Sequence, residues 1–234
     1  IYGTTGGNTA CVEILHNDTH IILDAGTGLR VLGKNRKCPE KYHLFLSHFH
    51  WDHIQGFPFF DHAFNSTVKF EIYSHYPESK KYFWDQVIEP YSPPSVALAF
   101  TKNINFNLLE TNKEYDVEGI KVNSQEMRHP GKSYSYSFEA DGKKFVYATD
   151  VELKSSDYKN TNEGKQVFQN ADVIVIDSQY TVEEVYRKEN WGHSAFCYVI
   201  DFAVYWNIKK IYLFHHEPTY DDKKLNSILQ AARW

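Results

Sequence analysis

The stretch LFLSHFHWDHIQG, residues 44–56, decides how this chain is to be interpreted. A short apolar run ends at a serine, and His48, His50, Asp52 and His53 follow within a few positions. On an extended segment the first three side chains would point the same way, because side chains alternate between the faces of a strand. The last would follow where the chain turns into a short helix beginning HIQGF. A solvated loop that is rich in histidine by chance is the alternative, but this crowding favours a metal site.

Further candidate ligands come later in the chain, each at the end of an apolar strand pattern. His129 follows IKVNSQEMR, Asp150 ends KKFVYATD and His215 ends KKIYLFH. Imidazoles and carboxylates that converge in a crevice are a common way to build a site. Zinc takes about four ligands, so segments outside residues 44–56 would have to complete the coordination. The two carboxylate oxygens of Asp150 could bridge two cations.

Short apolar or alternating segments predict strands, and amphipathic segments predict helices. The strands are predicted at residues 9–16, 20–26, 42–48, 69–75, 104–110, 120–127, 134–140, 143–150, 172–178 and 209–215. The helices are predicted at residues 78–89, 163–171, 181–189, 194–207 and 221–233. A run of strands followed by strands that alternate with helices predicts an α/β (α+β) protein, in which helices pack outside sheets.

The composition sets broad limits on function. The 234 residues are 42% hydrophobic, which is ample for a core, and the net charge of −5 provides no general attraction to nucleic acid. No apolar run reaches about 18 residues, so no membrane span is predicted. The three cysteines are far apart and form no CxxC pair, which fits a reducing cytoplasm. The chain starts at Ile1 in what reads as a strand, so a few N-terminal residues are expected to be missing.

These motifs resemble those of the metallo-β-lactamase superfamily. SHFHWDH matches its HxHxDH signature, with ILDAGTG upstream and HPGKSYSYSF, VYATD and LFHHEP downstream, in the order of the superfamily. The resemblance covers essentially the whole chain. It implies a single domain over residues 1–234, folded as a four-layer αββα sandwich of two mixed sheets with helices outside. It also implies a two-metal site at the rim of the sheets.

The resemblance further implies a set of ligands. The first metal would be held by His48, His50 and His129, and the second by Asp52, His53 and His215, with Asp150 bridging. His215 is preferred to His216 because it ends the strand and stands three residues before Pro218. Two divalent ions are expected as cofactors, with zinc first and manganese or iron as alternatives, since imidazole and carboxylate ligands suit all three.

Two such cations would hold a bridging hydroxide and polarise the bond that it attacks. The segment NWGHSAF, residues 190–196, then discriminates between substrates. Its GHS resembles the phosphodiesterase branch of the superfamily, which includes ribonuclease Z and phosphoribosyl cyclic phosphodiesterase. In that branch a histidine matching His193 acts on the phosphate and an aspartate matching Asp52 orients the nucleophile, so these two are the expected catalytic residues. The N-terminus of the following helix, near Ser194, would also favour an anion. The alternative is that His193 only caps this helix.

The expected substrate is a small cyclic or nucleotide-like phosphodiester, enclosed by the aromatic segment at residues 82–91. Its aromatic side chains could stack on a base or a sugar, or belong to the core. An RNA endonuclease of the ribonuclease Z type is an alternative, but no basic arm is visible, and phosphate contacts supply most affinity for polynucleotides. A thioester or lactone hydrolase and an iron-binding redox protein are further alternatives. The sequence does not reveal the oligomeric state, although the resemblance suggests a homodimer, and no membrane partner is expected.

Other residues receive plainer interpretations. Asp24 is expected to support a ligand or form a turn, with direct metal binding as the alternative. Phe49 and Trp51 are expected to pack into the sheets and hold the ligand loop rigid, and Cys197 to belong to the core. Isolated histidines are expected to be structural or solvated: His16, His20, His43, His62 and His75.

Overall fold

The computed structural model describes residues 3–93, 103–154 and 162–233. The chain divides into two compact units, a first of residues 8–110 and a second of residues 1–7 and 111–234. The single domain over residues 1–234 stays a prediction, as does the expectation that residues precede Ile1.

The first unit contains a five-stranded sheet. Its strands are β1 (Val12–His16), β2 (Thr19–Leu23), β3 (Lys41–Phe45), β4 (Lys69–Ser74) and β5 (Ile104–Leu108), in the order 1-2-3-4-5. The β1–β2 pair is antiparallel and the others are parallel, so the sheet is mixed. Its helices are α1 (Gly28–Asn35), α2 (Trp51–Ile54) and α3 (Ser79–Asp85), with 3-10 turns at Phe57–Phe59 and Asp61–Phe64.

The core of the first unit forms around the central strand β3. Leu44 packs in one buried cluster with Leu29 of α1, Phe57 of the first 3-10 turn and Phe70 of β4. This packing fixes the end of β3, from which residues 46–53 continue. The segment that carries the first candidate ligands therefore starts from a rigid strand.

The second unit contains a six-stranded mixed sheet. Its strands are β6 (Tyr115–Val117), β7 (Ile120–Met127), β8 (Ser133–Ala140), β9 (Lys143–Ala148), β10 (Val173–Asp177) and β11 (Ile211–Phe214), in the order 11-10-9-8-7-6. Strands β9, β10 and β11 run parallel and the remaining neighbours are antiparallel. Its helices are α4 (Asn162–Phe168), α5 (Val182–Arg187), α6 (Phe196–Tyr205) and α7 (Asp222–Ala232).

Two mixed sheets with helices confirm the predicted fold class. Local signals account for several elements: the side chain and backbone of Thr181 and Glu184 form the capping box that starts α5. Asp141 and Gly142 both have positive φ, 50° and 68°, as a type I′ hairpin turn requires. The sequence did not predict α1 or β6. Among the described residues, no helix is long and apolar enough to cross a membrane.

Candidate functional site

The candidate ligands of the first unit lie after the end of β3, with His48 and His50 in the loop that follows it and Asp52 and His53 in helix α2. The ring centroid of His48 is 4.4 Å from that of His50 and 4.2 Å from that of His53. Nε2 of His53 is 3.2 Å from Oδ2 of Asp52. The expectation that Asp52 continues an extended segment is wrong, because α2 begins at Trp51 and not at His53.

Asp24 supports this group from the end of β2. It is fully buried, and its φ of 58° is the turn that redirects the chain. Oδ1 accepts a hydrogen bond from the amide of Ser47 at 2.7 Å, and Oδ2 accepts one from the hydroxyl of Ser47 at 2.7 Å. Oδ2 also accepts one from Nδ1 of His53 at 2.7 Å. This last bond fixes the proton on Nδ1 and leaves the Nε2 lone pair to face a metal.

Ser47 sets the tautomer of a second imidazole. Its Oγ lies 3.0 Å from Nδ1 of His48. Because the single hydroxyl proton goes to Asp24, the oxygen accepts from Nδ1–H of His48. His48 and His53 are therefore both oriented with Nε2 as the ligand atom. The carboxylate of Asp24 orients His53 directly and His48 through the hydroxyl of Ser47.

Two glycines let the backbone come close enough to build this turn. A Cβ on Gly56 would lie 1.8 Å from the carbonyl oxygen of Gly26, and one on Gly26 would lie 2.3 Å from the carbonyl oxygen of Asp52. The amide of Ala25 donates to the carbonyl of His53 at 2.7 Å. Ala25 and Gly26 of the ILDAGTG motif thus pack directly against helix α2 and Gly56.

The candidate ligands of the second unit lie at the ends of three strands, as predicted. His129 follows β7, Asp150 follows β9 and His215 follows β11. Nε2 of His215 is 3.3 Å from Oδ1 of Asp150, and Nε2 of His129 is 3.8 Å from Oδ2. The two oxygens of one carboxylate therefore face different imidazoles, which is the arrangement that a bridging ligand needs.

Gly192 orients His129. Nδ1–H of His129 donates to the carbonyl of Gly192 at 2.9 Å, so Nε2 keeps its lone pair. The amide of Gly192 donates in turn to Oε2 of the buried Glu152 at 3.0 Å. A Cβ on Gly192 would lie 2.1 Å from Nδ1 of His129, and its φ of 89° disfavours other residues. Sequence reasoning did not predict this role.

His193 is held by a buried carboxylate. Its Nδ1 is 2.6 Å from Oδ2 of Asp177, and its ring stacks on that of His215 with centroids 5.0 Å apart. Oδ1 of Asp177 accepts from the amides of Ser194 at 3.1 Å and Gln179 at 3.2 Å. The N-cap of α6 is Ala195, so the side chain of His193 does not cap that helix. Asp177 was not predicted, although it ends an apolar strand in the same way as the predicted residues.

Four side chains of the second unit form a group with ligand atoms within 4.8 Å of one another: Asp150, Asp177, His193 and His215. Imidazole nitrogens and carboxylate oxygens suit zinc, manganese and iron. In both units the donor types and the fixed tautomers therefore fit a divalent cation. Asp177 already accepts three hydrogen bonds, so we assign it to holding His193.

Three of the isolated histidines have ordinary structural partners, as predicted. Nδ1 of His20 is 2.9 Å from Glu13, that of His62 is 2.7 Å from the hydroxyl of Tyr42, and that of His43 is 3.1 Å from the hydroxyl of Tyr73. Burial lowers the pKa of His62, which favours its neutral form. Cys197 is half-buried and packs beside a small buried cluster, as expected of the core.

The expectation for the two aromatic residues of the ligand loop is wrong for Trp51. Its side chain is 66% exposed, because helix α2 turns it away from the core. Phe49 is half-buried against the core cluster. Its ring also contacts Tyr76 and Tyr82, each with a centroid distance of 5.3 Å. Phe49 therefore anchors the loop, and Trp51 presents a free face.

A family model and two curated relatives match most of the chain. The family model described as "Beta-lactamase superfamily domain" matches residues 19–216. A ribonuclease Z from Picrophilus torridus is 25% identical, over 81% of this chain and 72% of that protein. A ribonuclease Z from Oceanobacillus iheyensis is 22% identical, over 91% of this chain and 83% of that protein.

Solved structures share the fold at low sequence identity. The metallo-β-lactamase fold protein YhfI from Bacillus subtilis superposes with a TM-score of 0.75 at 15% identity, over 99% of this chain and 89% of that one. The short form of human tRNase Z superposes with a TM-score of 0.71 at 17% identity, over 91% of this chain and 87% of that one. A diphosphatase of the PhnP family superposes with a TM-score of 0.64 at 15% identity, over 94% of this chain and 78% of that one.

Proposed function

We propose that this chain, which belongs to the beta-lactamase superfamily, is a metal-dependent phosphodiesterase that acts on a small cyclic or nucleotide-like phosphodiester. Membership confirms the family predicted from the sequence, and with it the assignment as a hydrolase. The observation that carries the finer proposal is the pair of His193 and Asp177, 2.6 Å apart, with His193 stacked on His215.

The metal ligands are proposed from the resemblance to the HxHxDH superfamily. One cation would bind His48, His50 and His129, and the other Asp52, His53 and His215, with Asp150 shared. The tautomers support this assignment, since Asp24, Ser47 and Gly192 each occupy an Nδ1 and leave an Nε2 as donor. Divalent cations bound there would supply Lewis acidity and lower the pKa of a water molecule. Zinc is the first candidate metal and manganese or iron the alternatives, since imidazole and carboxylate ligands suit all three.

His193 is proposed to assist the phosphoryl group or its leaving oxygen. The carboxylate of Asp177 accepts from Nδ1–H of His193, so Nε2 is the ring atom that can carry the transferred proton. A protonated imidazole also attracts a phosphate anion. A neutral thioester or lactone gains less from such a cation, which is why this pair favours a phosphodiester.

Asp52 is proposed to orient the nucleophile. Its side chain is 38% exposed, unlike the buried carboxylates of Asp24 and Asp150. An accessible carboxylate can accept a hydrogen bond from a water molecule and so point a lone pair of the water oxygen at phosphorus. Oδ2 of Asp52 and the Nε2 lone pair of His53 lie 3.2 Å apart, as two ligands of one cation would.

Ribonuclease Z activity is the second candidate, and the curated relatives favour it. The net charge of −5 argues against a long polynucleotide substrate, because binding to RNA depends on many phosphate contacts. The single phosphate of a small substrate could be bound by the metal ions and His193 alone. Cytoplasmic location and a homodimer stay predictions of the sequence.

The test is hydrolysis of bis(p-nitrophenyl) phosphate by protein loaded with zinc or manganese, beside a thioester and a lactone. We expect turnover of the phosphodiester only. His193→Ala should lower it by about a hundredfold or more, the scale of general acid catalysis. Tyr212→Ala, an exposed substitution on β11, serves as the control and should keep full activity.

Two results would contradict the proposal. One is turnover of the thioester or lactone in preference to the phosphodiester, which would assign the same residues to acyl chemistry. The other is unchanged phosphodiester turnover in His193→Ala, which would remove the observation on which the assignment depends.

A further inference from the structure

A cavity of about 640 Å³ lies beside helix α2 in the first unit. It is lined by Phe49, Trp51, Ile54, Tyr82, Asp85, Gln86, Ile88 and Tyr91. Trp51 stands between His50 and Asp52 in the sequence. The wall of the cavity therefore belongs to the same segment as the candidate ligands.

Aromatic faces dominate the exposed part of the lining. Trp51 is 66% exposed, Tyr91 is 72% exposed and Tyr82 is 39% exposed. Large aromatic side chains gathered in one exposed concave patch are a mark of ligand binding rather than of core packing. The ring of Phe49 packs edge-on against Tyr82 with centroids 5.3 Å apart, so this wall is held in place. Such faces suit a planar ring that stacks on them.

Gln86 adds a directional polar group to the lining. Its Nε2 and Oε1 atoms are both buried, and neither has a hydrogen-bond partner among the residues that the structure describes. Buried polar groups are normally paired. A rotation of this side chain toward the cavity would present a donor and an acceptor side by side, which would match the adjacent acceptor and donor on the edge of a base such as adenine.

The charges of the lining point to a neutral ring rather than to a phosphate. Its described residues include no lysine or arginine. Its one carboxylate, on Asp85, is paired with Nζ of Lys81, so it neither repels a neutral ligand nor remains to bind a cation. Stacking faces, an amide and the lack of a free charge together describe a site for a nucleobase.

We infer that this cavity is a nucleobase subsite and that the substrate is a nucleoside phosphodiester. The base would stack on Trp51 and Tyr91 and pair with the amide of Gln86. The inference rests on the proposed function in placing the phosphate at the candidate ligands. It narrows the substrate class from phosphodiesters in general to those that carry a base.

Calorimetric titration of the zinc-loaded protein with adenosine 5′-monophosphate and with ribose 5-phosphate tests the inference. The two probes share the sugar and the phosphate and differ only in the base. We expect the nucleotide to bind about tenfold more tightly or better, the scale of one stacked base. Trp51→Ala should bring the ratio of the two Kd values close to one, and Gln86→Leu should reduce it severalfold without lowering Tm. Phe59→Ala, equally exposed at 64% but outside the lining, should keep the wild-type ratio.

Equal affinity of the wild type for the two probes, no binding of the nucleotide, or an unchanged ratio in Trp51→Ala would each overturn the inference. The readout does not depend on turnover, so the two proposals can fail separately. Selective nucleotide binding without phosphodiester hydrolysis would contradict the phosphodiesterase and uphold the subsite. Phosphodiester hydrolysis without selective binding of the nucleotide would uphold the phosphodiesterase and contradict the subsite.

Discussion

Asp24→Asn changes one atom of the network that supports the first group of ligands. Asp24 is fully buried and accepts three hydrogen bonds of 2.7 Å, from the amide and hydroxyl of Ser47 and from Nδ1 of His53. Asparagine tolerates the φ of 58° at this position, so the backbone should not change. Its carbonyl can still accept from the amide of Ser47, but its NH₂ group replaces the oxygen that accepts the other two bonds.

The size of the effect follows from those two bonds. Each hydrogen bond to a buried charged group contributes about 1.5–3 kcal/mol. We therefore expect the free energy of unfolding of the metal-free protein to fall by roughly 2–4 kcal/mol, allowing for partial rearrangement of Ser47. His53 can recover a bond only by accepting from the new NH₂ group at Nδ1, which moves its proton to Nε2. Zinc affinity should then fall by about 10–100-fold, as when the support of a metal-bound histidine is removed.

Urea denaturation of the metal-free protein measures the first quantity, and competition with a chromophoric zinc chelator measures the second. Asp18→Asn, which lies in the exposed turn between β1 and β2, is the matched control and should change neither. Zinc affinity of Asp24→Asn within threefold of the wild type would refute the argument that Asp24 sets the His53 tautomer.

Three further predictions concern the second unit and the metal. Gly192→Ala would place a Cβ 2.1 Å from Nδ1 of His129, so we expect weaker zinc binding and a lower Tm, and a wild-type zinc affinity would contradict this. Asp177→Asn should lower kcat for bis(p-nitrophenyl) phosphate by about a hundredfold with little change in KM, whereas an unchanged kcat would show that Asp177 does not act through His193. Chelation should abolish turnover and lower Tm in calorimetry, because a ligand that binds only the folded state stabilises it, and a Tm that does not respond would count against a resident metal.

Local pattern explains why much of the fold and most candidate ligands could be predicted from the sequence. The strands show apolar runs or period-two alternation, and the residues at the ends of β7, β9 and β11 follow directly from where those runs stop. The capping box at Thr181 and the turn at Asp141 are likewise complete within a few residues. Such features depend on neighbours in the sequence, so the sequence reveals them.

The roles that could not be predicted depend on contacts between distant segments. Asp177 and His193 are 16 positions apart, and Gly192 and His129 are 63 apart. Nothing local distinguishes Asp177 from other aspartates at strand ends until the fold brings a histidine to it. The exposure of Trp51 was missed for a related reason, since it depends on α2 beginning at that residue rather than at His53.

The most direct test of the central claim is a titration of the metal-free protein with zinc, in which bound zinc and hydrolysis of bis(p-nitrophenyl) phosphate are followed together. The account predicts that turnover rises with bound zinc and reaches its maximum at two ions per chain. A protein that holds two ions per chain and hydrolyses no phosphodiester would contradict it.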